Sequence, residues 1–291
     1  MKILITGASG FIGRNLKEQL SSTHHVLAPT SKELDLLNEN QVEKYLKKNK
    51  FDIIIHCATH NGTKISNKDL SLVFKNNVRM FFLLARCNNL YKRMFYFGSG
   101  AVYDMRNYIP KMEEEYFDIH VPVDDYGFSK YIMAQYAKNI PNIYELRPFG
   151  IYGKYEDWRI RFISQSICRS IFDIDITINQ NVYFDYLYVD DLGEIIKRLI
   201  EAKELPHQQY NVCTGKIIDL LSLAKIVVKV SGKKLKIKIK NKGLKKEYSG
   251  SNKRLIETIG NYDFTSPGSA IKKLYQWYQS HKNSIDKNML I

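Results

Sequence analysis

Two tracts of the chain carry residues whose types and spacing could do chemistry. The first is Thr6-Gly7-Ala8-Ser9-Gly10-Phe11-Ile12-Gly13, directly after the β-branched run Lys2–Thr6. Glycines at 7, 10 and 13 permit a tight turn, close backbone approach to a pyrophosphate, and close packing of the next helix on the strand. The start of that helix offers unpaired N–H groups and the positive end of its dipole. Ser9, Phe11 and Ile12 lie among these glycines, and the tract reads as a dinucleotide site. The second is Tyr126-Gly127-Phe128-Ser129-Lys130. On a helix, Tyr126 and Lys130 share a face, and an ammonium beside a phenol of pKa ~10 draws it toward the working range of an acid–base catalyst. The spacing alone decides nothing, because Tyr278 and Lys282 repeat it. Position decides: Tyr126 follows a run ending Tyr96-Phe97-Gly98-Ser99, and Ser99 would lie at the carboxyl end of a parallel strand, where doubly wound folds bind ligands. Its hydroxyl could bond a substrate oxygen beside that of Tyr126.

The elements that must position these residues alternate strand and helix. Strands are expected at Lys2–Thr6, His25–Ala28, Asp52–His56, Met94–Gly98 and Asn142–Arg147. Helices are expected at Ile12–Leu20, around Val42 and Leu46, over Asp69–Asn89 as one long element, and at Asp125–Asn139. Apolar strands alternating with helices imply an α/β fold: a doubly wound parallel sheet of Rossmann type. After Pro148 the rhythm changes. Helices at Arg159–Phe172, Asp190–Ala202, Leu220–Val230 and Ser269–Ser280 are interleaved with strands at Tyr183–Val189, Gln209–Cys213 and Leu235–Lys240. The expected division is a dinucleotide-binding domain over 1–150 and a smaller α+β substrate lobe over 151–291, with 183–202 packing back on the first. Glu113-Glu114-Glu115 reads as a solvated loop before the catalytic helix. The histidines at 24, 25, 56 and 60 have no accompanying carboxylate pattern, so no metal is expected.

Composition bounds the function. The 291 residues are 44% hydrophobic and 25% charged, which excludes collagen, coiled coil and wholesale disorder. No apolar run approaches the ~18–20 residues of a membrane span, and the N-terminal MKILITG reads as a first strand, not a signal peptide. Cys57, Cys87, Cys168 and Cys213 form no CxxC, which fits a reducing cytoplasm. The net charge of +14 is local: residues 216–254 hold 13 Lys/Arg against Asp219 and Glu247. That patch could meet a nucleotide diphosphate or another polyanion, or decorate an exposed strand.

The blocks TGASGFIG, DIIIHCAT, KNNV, GSGAVY, YGFSK, LRPFGIYG, FDYLYVDDL and YNVCTG occur in this order over nearly the whole chain. In them the sequence resembles the extended short-chain dehydrogenase/reductases, the NAD(P)-dependent nucleotide-sugar epimerases, dehydratases and reductases. The resemblance implies a catalytic set of Ser99, Tyr126 and Lys130, with Tyr126 as acid/base and Lys130 holding the nicotinamide ribose. It implies Asp35 and Leu36 near adenine, Cys57, Ala58 and Thr59 along the ribose and phosphates, and Asn76 near the nicotinamide half. A homodimer through the 69–89 and 125–139 helices is implied in the same way.

Departures from the family pattern narrow the reaction. The family's 4,6-dehydratases place Asp-Glu after the catalytic Ser/Thr, where this chain has Gly100-Ala101. The stretch SKELDLLNENQVEKYLKK is most similar to GDP-fucose synthase, but that enzyme's epimerising Cys aligns with Ala101 and no His lies between Gly153 and Phe162. Gly150 and Phe184 stand where the family has a nucleotide-contacting Asn and a phosphate-contacting Arg; Arg159, Arg161 or the lysines of 233–246 are the candidates to substitute. At the second strand no acid precedes Glu33, while Arg14 and Lys32 could meet a 2′-phosphate, so NADP(H) is favoured over NAD(H). The reading is a cytoplasmic NAD(P)-dependent oxidoreductase of a nucleotide sugar, foremost a 4-keto reductase in surface polysaccharide sugar synthesis. The alternatives are an NAD-dependent C4 epimerase and, in another class, a non-catalytic polyanion- or RNA-binding Rossmann protein; the complete Ser99–Tyr126–Lys130 set argues against the latter.

Overall fold

A computed structural model of the protein describes residues 1–60 and 69–290. In chain order its strands are β1 (Lys2–Thr6), β2 (His25–Leu27), β3 (Phe51–His56), β4 (Tyr91–Phe97), β5 (Ile143–Pro148), β6 (Gly150–Tyr152), β7 (Ile176–Asn181), β8 (Tyr183–Tyr188), β9 (Gln209–Val212), β10 (Ile217–Asp219) and β11 (Ile237–Leu244). The helices are α1 (Phe11–Leu20), α2 (Glu39–Asn49), α3 (Val73–Ala85), α4 (Asp125–Ala137), α5 (Phe162–Ile171), α6 (Val189–Glu201), α7 (Leu220–Ser231), α8 (Lys253–Ile259) and α9 (Pro267–Ser280).

Six strands form one parallel sheet in the order β2-β1-β3-β4-β5-β9. Its strands are apolar on both sides because both faces are covered. Ile3, Ile5, Ile53, Ile55, Phe95 and Phe97 enter the core shared with α1 and α6. Leu4, Ile54, Met94 and Tyr96 enter the opposite core, under α2, α3 and α4. Each such aliphatic side chain, fully buried, stabilises the fold by roughly 1.5–3 kcal/mol. A one-residue slip of any strand would exchange the two faces.

The helices begin where side chains can satisfy free backbone N–H groups. Asn38 accepts from Gln41 N (3.1 Å) ahead of α2, and Asp124 accepts from Gly127 N (2.8 Å) ahead of α4. The sixth strand, β9, comes from beyond residue 150, so the main sheet draws on both halves of the sequence. Helix α6 follows β8 and lies on α1, where Gln19 Nε2 donates to the Val189 carbonyl (3.3 Å).

Some expectations change. The stretch Asp69–Asn89 is not one helix: 3₁₀ turns at Leu70–Leu72 and Asn88–Leu90 flank α3. The Asp69 carboxylate takes the Ser71 N–H (2.9 Å) and starts a turn that precedes the helix proper. The alternation of 235–240 holds only at its start. Strand β11 runs on to Leu244 beside β7, and Ile239 is 42% exposed because the two-stranded ribbon leaves the core. Strands β6, β7 and β10 and helix α8 had no expectation; β6 and β10 are three residues long, too short for periodicity to show.

Candidate active site

The glycine tract forms the turn between β1 and α1. Gly7 has φ +70°, and Gly10 N donates to the Gly7 carbonyl at 3.0 Å, closing the loop. A Cβ at Gly7 would stand 2.6 Å from the Ala58 backbone, and one at Gly13 would collide with the Gly7 carbonyl. The requirement is therefore for space as well as for dihedral freedom. Helix α1 has Gly10 as its N-cap, no side-chain cap and no acid in its first turn. Its leading N–H groups face a cleft of about 1370 Å³ lined by Gly7 and Ser9 to Gly13. Uncapped N–H groups at the positive end of a helix, backed by glycines, fit a dinucleotide pyrophosphate.

Asp35, Leu36, Cys57, Ala58 and Thr59 line the same cleft, as do Ser99 and Tyr126. Asn76 and Lys130 do not. Asn76 Nδ2 instead meets His60 Nδ1 at 3.0 Å. The braces of the β3 loop come from its neighbour: buried Asn77 accepts at Oδ1 from Thr59 Oγ1 (3.1 Å) and His60 N (2.7 Å). Burial raises the Cys57 thiol well above its ordinary pKa, so it lines the cleft as an inert neutral group. Arg14, a sequence candidate for a 2′-phosphate, is committed elsewhere: its guanidinium lies 3.7 Å from the Tyr155 ring centroid and 3.7 Å from Glu18.

Ser99 follows β4, and its Oγ accepts from Ala101 N (3.1 Å) to start the 3₁₀ turn Gly100–Tyr103. Tyr126, in the first turn of α4, lines the cleft with Ser99. Lys130 is buried one turn on, with Nζ donating to the Phe97 carbonyl (2.8 Å) and lying 5.6 Å from the Tyr126 ring centroid. The electrostatics differ from the expectation for a Tyr–Lys pair. Burial raises the Tyr126 phenol above its usual pKa, opposed by Ser99 and by the positive charge of Arg161, not by Lys130. Lys130 spends its effort on its own burial, which lowers its ammonium to about 8 against the pull of Glu145. At neutral pH Tyr126 is therefore a protonated acid.

Glu145 belongs to a buried network that sequence reading passed over. Its Oε2 accepts from Arg147 Nε (2.9 Å) and Nη2 (2.7 Å), with both side chains fully buried. Arg147 Nη1 donates to the Tyr103 hydroxyl (2.8 Å), which donates to Asn211 Oδ1 (2.7 Å); Asn211 N donates to Glu114 Oε1 (2.7 Å). The expected solvated Glu113–Glu115 loop is thus wrong at Glu114, which is buried because it fastens β9. The available signal was two charges two residues apart in an otherwise apolar strand, hence on one face. Glu156 was also missed. It is buried against the cleft, accepts from Ser164 Oγ (2.5 Å), and burial raises its carboxyl to about 8.

The cleft is also lined by Gly150, Phe184, Arg161, Lys245 and Lys246. Arg159 does not reach it, being held by Asp157 at 2.7 and 2.8 Å. Other members of the basic stretch are paired on the surface, Lys233 with Asp173 (3.1 Å) and Lys238 with Asp175 (2.9 Å).

Comparison with known proteins agrees with this architecture. The chain is 27% identical over 302 residues to GDP-6-deoxy-D-talose 4-dehydrogenase of Aggregatibacter actinomycetemcomitans, covering 95% of this chain and 97% of that one. Its backbone superposes with a TM-score of 0.82 on the GDP-mannoheptose C4 reductase of Campylobacter jejuni solved with NADP bound, at 21% identity, covering 96% and 98% of the two chains. The UDP-glucose 4-epimerase of Thermotoga maritima, solved with UDP-glucose, also gives 0.82, at 19% identity over 97% and 100%. Equal likeness to a reductase and an epimerase means that the backbone alone does not select the reaction. Residues 3–213, which hold the glycine turn, Ser99, Tyr126 and Lys130, match the NAD dependent epimerase/dehydratase family, and the chain belongs to that family.

Proposed function

We propose that the protein is an NAD(P)-dependent oxidoreductase of a nucleotide-activated sugar, working as a 4-keto reductase in surface polysaccharide sugar synthesis. The observation that carries the reading is that Ser99 and Tyr126 line the one cleft that begins at the uncapped start of α1. When bound, a nicotinamide dinucleotide supplies the hydride. The chain supplies position and the proton. Ser99 holds the sugar carbonyl oxygen, and Tyr126, protonated at neutral pH, gives that oxygen its proton. Lys130 anchors the ribose side of the site from behind, with Glu145 keeping its charge.

The dinucleotide is NADP(H): after the second strand no acid precedes Glu33, and Lys32 stands there to meet a 2′-phosphate. Glu33 Oε2 takes Thr30 N (2.7 Å) and Thr30 Oγ1 (2.9 Å), which folds that carboxylate back on its own turn. For the substrate diphosphate, Arg161, Lys245 and Lys246 take the place of the anchors missing at Gly150 and Phe184. Residues 1–150 hold the cofactor and 151–291 supply the substrate side. The half-buried aromatics Phe74, Phe82, Phe128 and Tyr136 on the outer faces of α3 and α4 suit a homodimer, checked by light scattering. Four free cysteines suit the cytoplasm, and among the described residues no helix is long and apolar enough to cross a membrane.

The deciding experiment is to denature the freshly purified protein and identify any released dinucleotide, then to offer NADPH with 4-keto sugar nucleotides. An empty site that binds and consumes NADPH supports the reductase. About one NAD per chain, retained through dialysis, would replace it with a C4 epimerase. Failure to bind either dinucleotide would overturn the reading and leave polyanion binding by the basic stretch.

A further inference from the structure

The ribbon of β7 and β11 carries more positive charge than the cleft it borders needs to hold a diphosphate. Residues 233–246 contain eight lysines and neither an arginine nor an acid. Among the described residues only two of the eight are ion-paired, Lys233 with Asp173 (3.1 Å) and Lys238 with Asp175 (2.9 Å). Lys236, Lys240 and Lys242 are exposed. Register gives this row a direction. The strands run parallel, with Ile176 beside Ile237, Thr177 beside Lys238 and Ile178 beside Ile239. The ladder reaches back to Lys236, whose carbonyl accepts from Ile176 N (3.0 Å). Ile176 and Ile178 are buried, so their face of the ribbon turns to the core. Side chains alternate between the faces of a strand, which puts Lys236, Lys238 and Lys240 on the other face with Thr177 and Asn179. Thr177 and Asn179 line the cleft, and so do Lys245 and Lys246 beyond the irregularity at Asn241 and Leu244. The lysine row therefore continues the wall of the cleft outward into solvent.

We infer that Lys236, Lys240 and Lys242 steer the anionic nucleotide sugar into the cleft without contacting it once it is bound. This role rests on the proposed nucleotide-sugar substrate. A lysine that holds a phosphate must reach it, and Arg161, Lys245 and Lys246 line the cleft for that purpose. The row beyond them extends over about 13 Å from Lys236 to Lys240. The Debye length is about 30 Å at 0.01 M salt and about 8 Å at 0.15 M. At low salt the whole row attracts a diphosphate that is still outside the cleft, and at high salt it does not. Lysines on an open ribbon also block pairing with other strands, but charges of either sign can do that. A row of one sign, bordering a cleft for an anion, adds a field that raises the rate of encounter. The absence of arginine and of aromatic side chains from 233–246 separates this role from a bidentate phosphate grip and from base stacking.

The test is stopped-flow association of fluorescent methylanthraniloyl-labelled GDP and UDP, which needs neither cofactor nor turnover. One variant combines Lys236→Gln, Lys240→Gln and Lys242→Gln. A second combines Lys44→Gln, Lys48→Gln and Lys272→Gln, which are exposed lysines of α2 and α9. Both variants lose the same charge, from different places. In the ribbon variant kon should fall about three- to tenfold at about 20 mM salt and match the wild type at about 0.5 M, with koff unchanged. The second variant should keep the wild-type kon within about twofold at both salts. An unchanged kon in the ribbon variant would overturn the inference. So would a loss carried mainly by koff, which would make these lysines contact residues, or an equal fall in the second variant, which would assign the effect to net charge. A wild type that binds neither diphosphate would overturn it as well. Absence of NADPH turnover with 4-keto sugar nucleotides would remove the reductase reading, while these rates still decide the steering.

Discussion

Glu156→Gln should remove a pH dependence of stability that the fold builds into one buried acid. In the native state burial raises the Glu156 carboxyl from 4.5 to about 8. Below pH 4.5 both folded and unfolded chains hold the proton, and the group contributes nothing to pH dependence. Between 4.5 and about 8 the unfolded chain releases the proton while the native chain keeps it. The unfolded state then binds fewer protons, so stability falls as pH rises, by up to about 1.4 kcal/mol per unit. Over the span from 4.5 to about 8 the ceiling is about 5 kcal/mol, and above 8 the loss levels off. Glutamine has nearly the same shape and can still accept from Ser164, but cannot ionise. The assay is urea unfolding of both proteins at pH 5.5, 7.0 and 8.5. The variant should gain on the wild type by several kcal/mol between the first and last pH. Other shifted groups, such as Asp185 at about 6 and Lys130 at about 8, occur in both proteins and cancel in the difference. Wild-type and variant stabilities that run parallel across this range would refute the buried-acid argument.

Three further outcomes follow from the same geometry. Gly13→Ala should weaken dinucleotide binding at least about tenfold, since its methyl collides with the Gly7 carbonyl; fluorescence titration of the bound nicotinamide checks this. Tyr126→Phe should keep dinucleotide affinity and lower kcat by about 10²–10⁴, the usual scale for a lost acid–base group, read by NADPH consumption. Glu145→Gln should cost about 3–5 kcal/mol in denaturant unfolding, because it leaves Arg147 as an uncompensated buried charge. It should also lower the Lys130 pKa further, moving the alkaline limb of the activity profile down.

The parts of the fold and site legible in the sequence are those whose physics is local. The glycine tract declares itself because a turn, a close approach and a helix start fall within eight consecutive residues. Burial of the main strands on both faces shows in runs such as Ile53-Ile54-Ile55, whatever lies against them. Fragmentation of the 69–89 helix depended on a single Asp69 cap, which a scan for apolar periodicity passes over. Strand β9 reads as a strand, but its place in the main sheet is set by Asn211 meeting Tyr103 and Glu114, about a hundred residues away.

The site divides the same way. Ser99, Tyr126 and Lys130 come from two segments less than forty residues apart, and local pattern brings them together. What sets their protonation comes from elsewhere. Arg161, at the start of α5, acts on Tyr126, and Glu145, on β5, acts on Lys130. A Tyr–Lys pair read from spacing suggests that the lysine tunes the phenol. In the folded chain Lys130 is tied to the Phe97 carbonyl, and Tyr126 lies in the cleft with Ser99 and Arg161. Lys130 lies 5.6 Å from the Tyr126 ring, yet the positive charge that opposes the rise in the phenol is that of Arg161, an exposed residue at the start of α5. Binding of an anionic substrate by Arg161 would screen the charge that opposes the rise in Tyr126, and keep the phenol protonated at the moment when the reduction needs its proton.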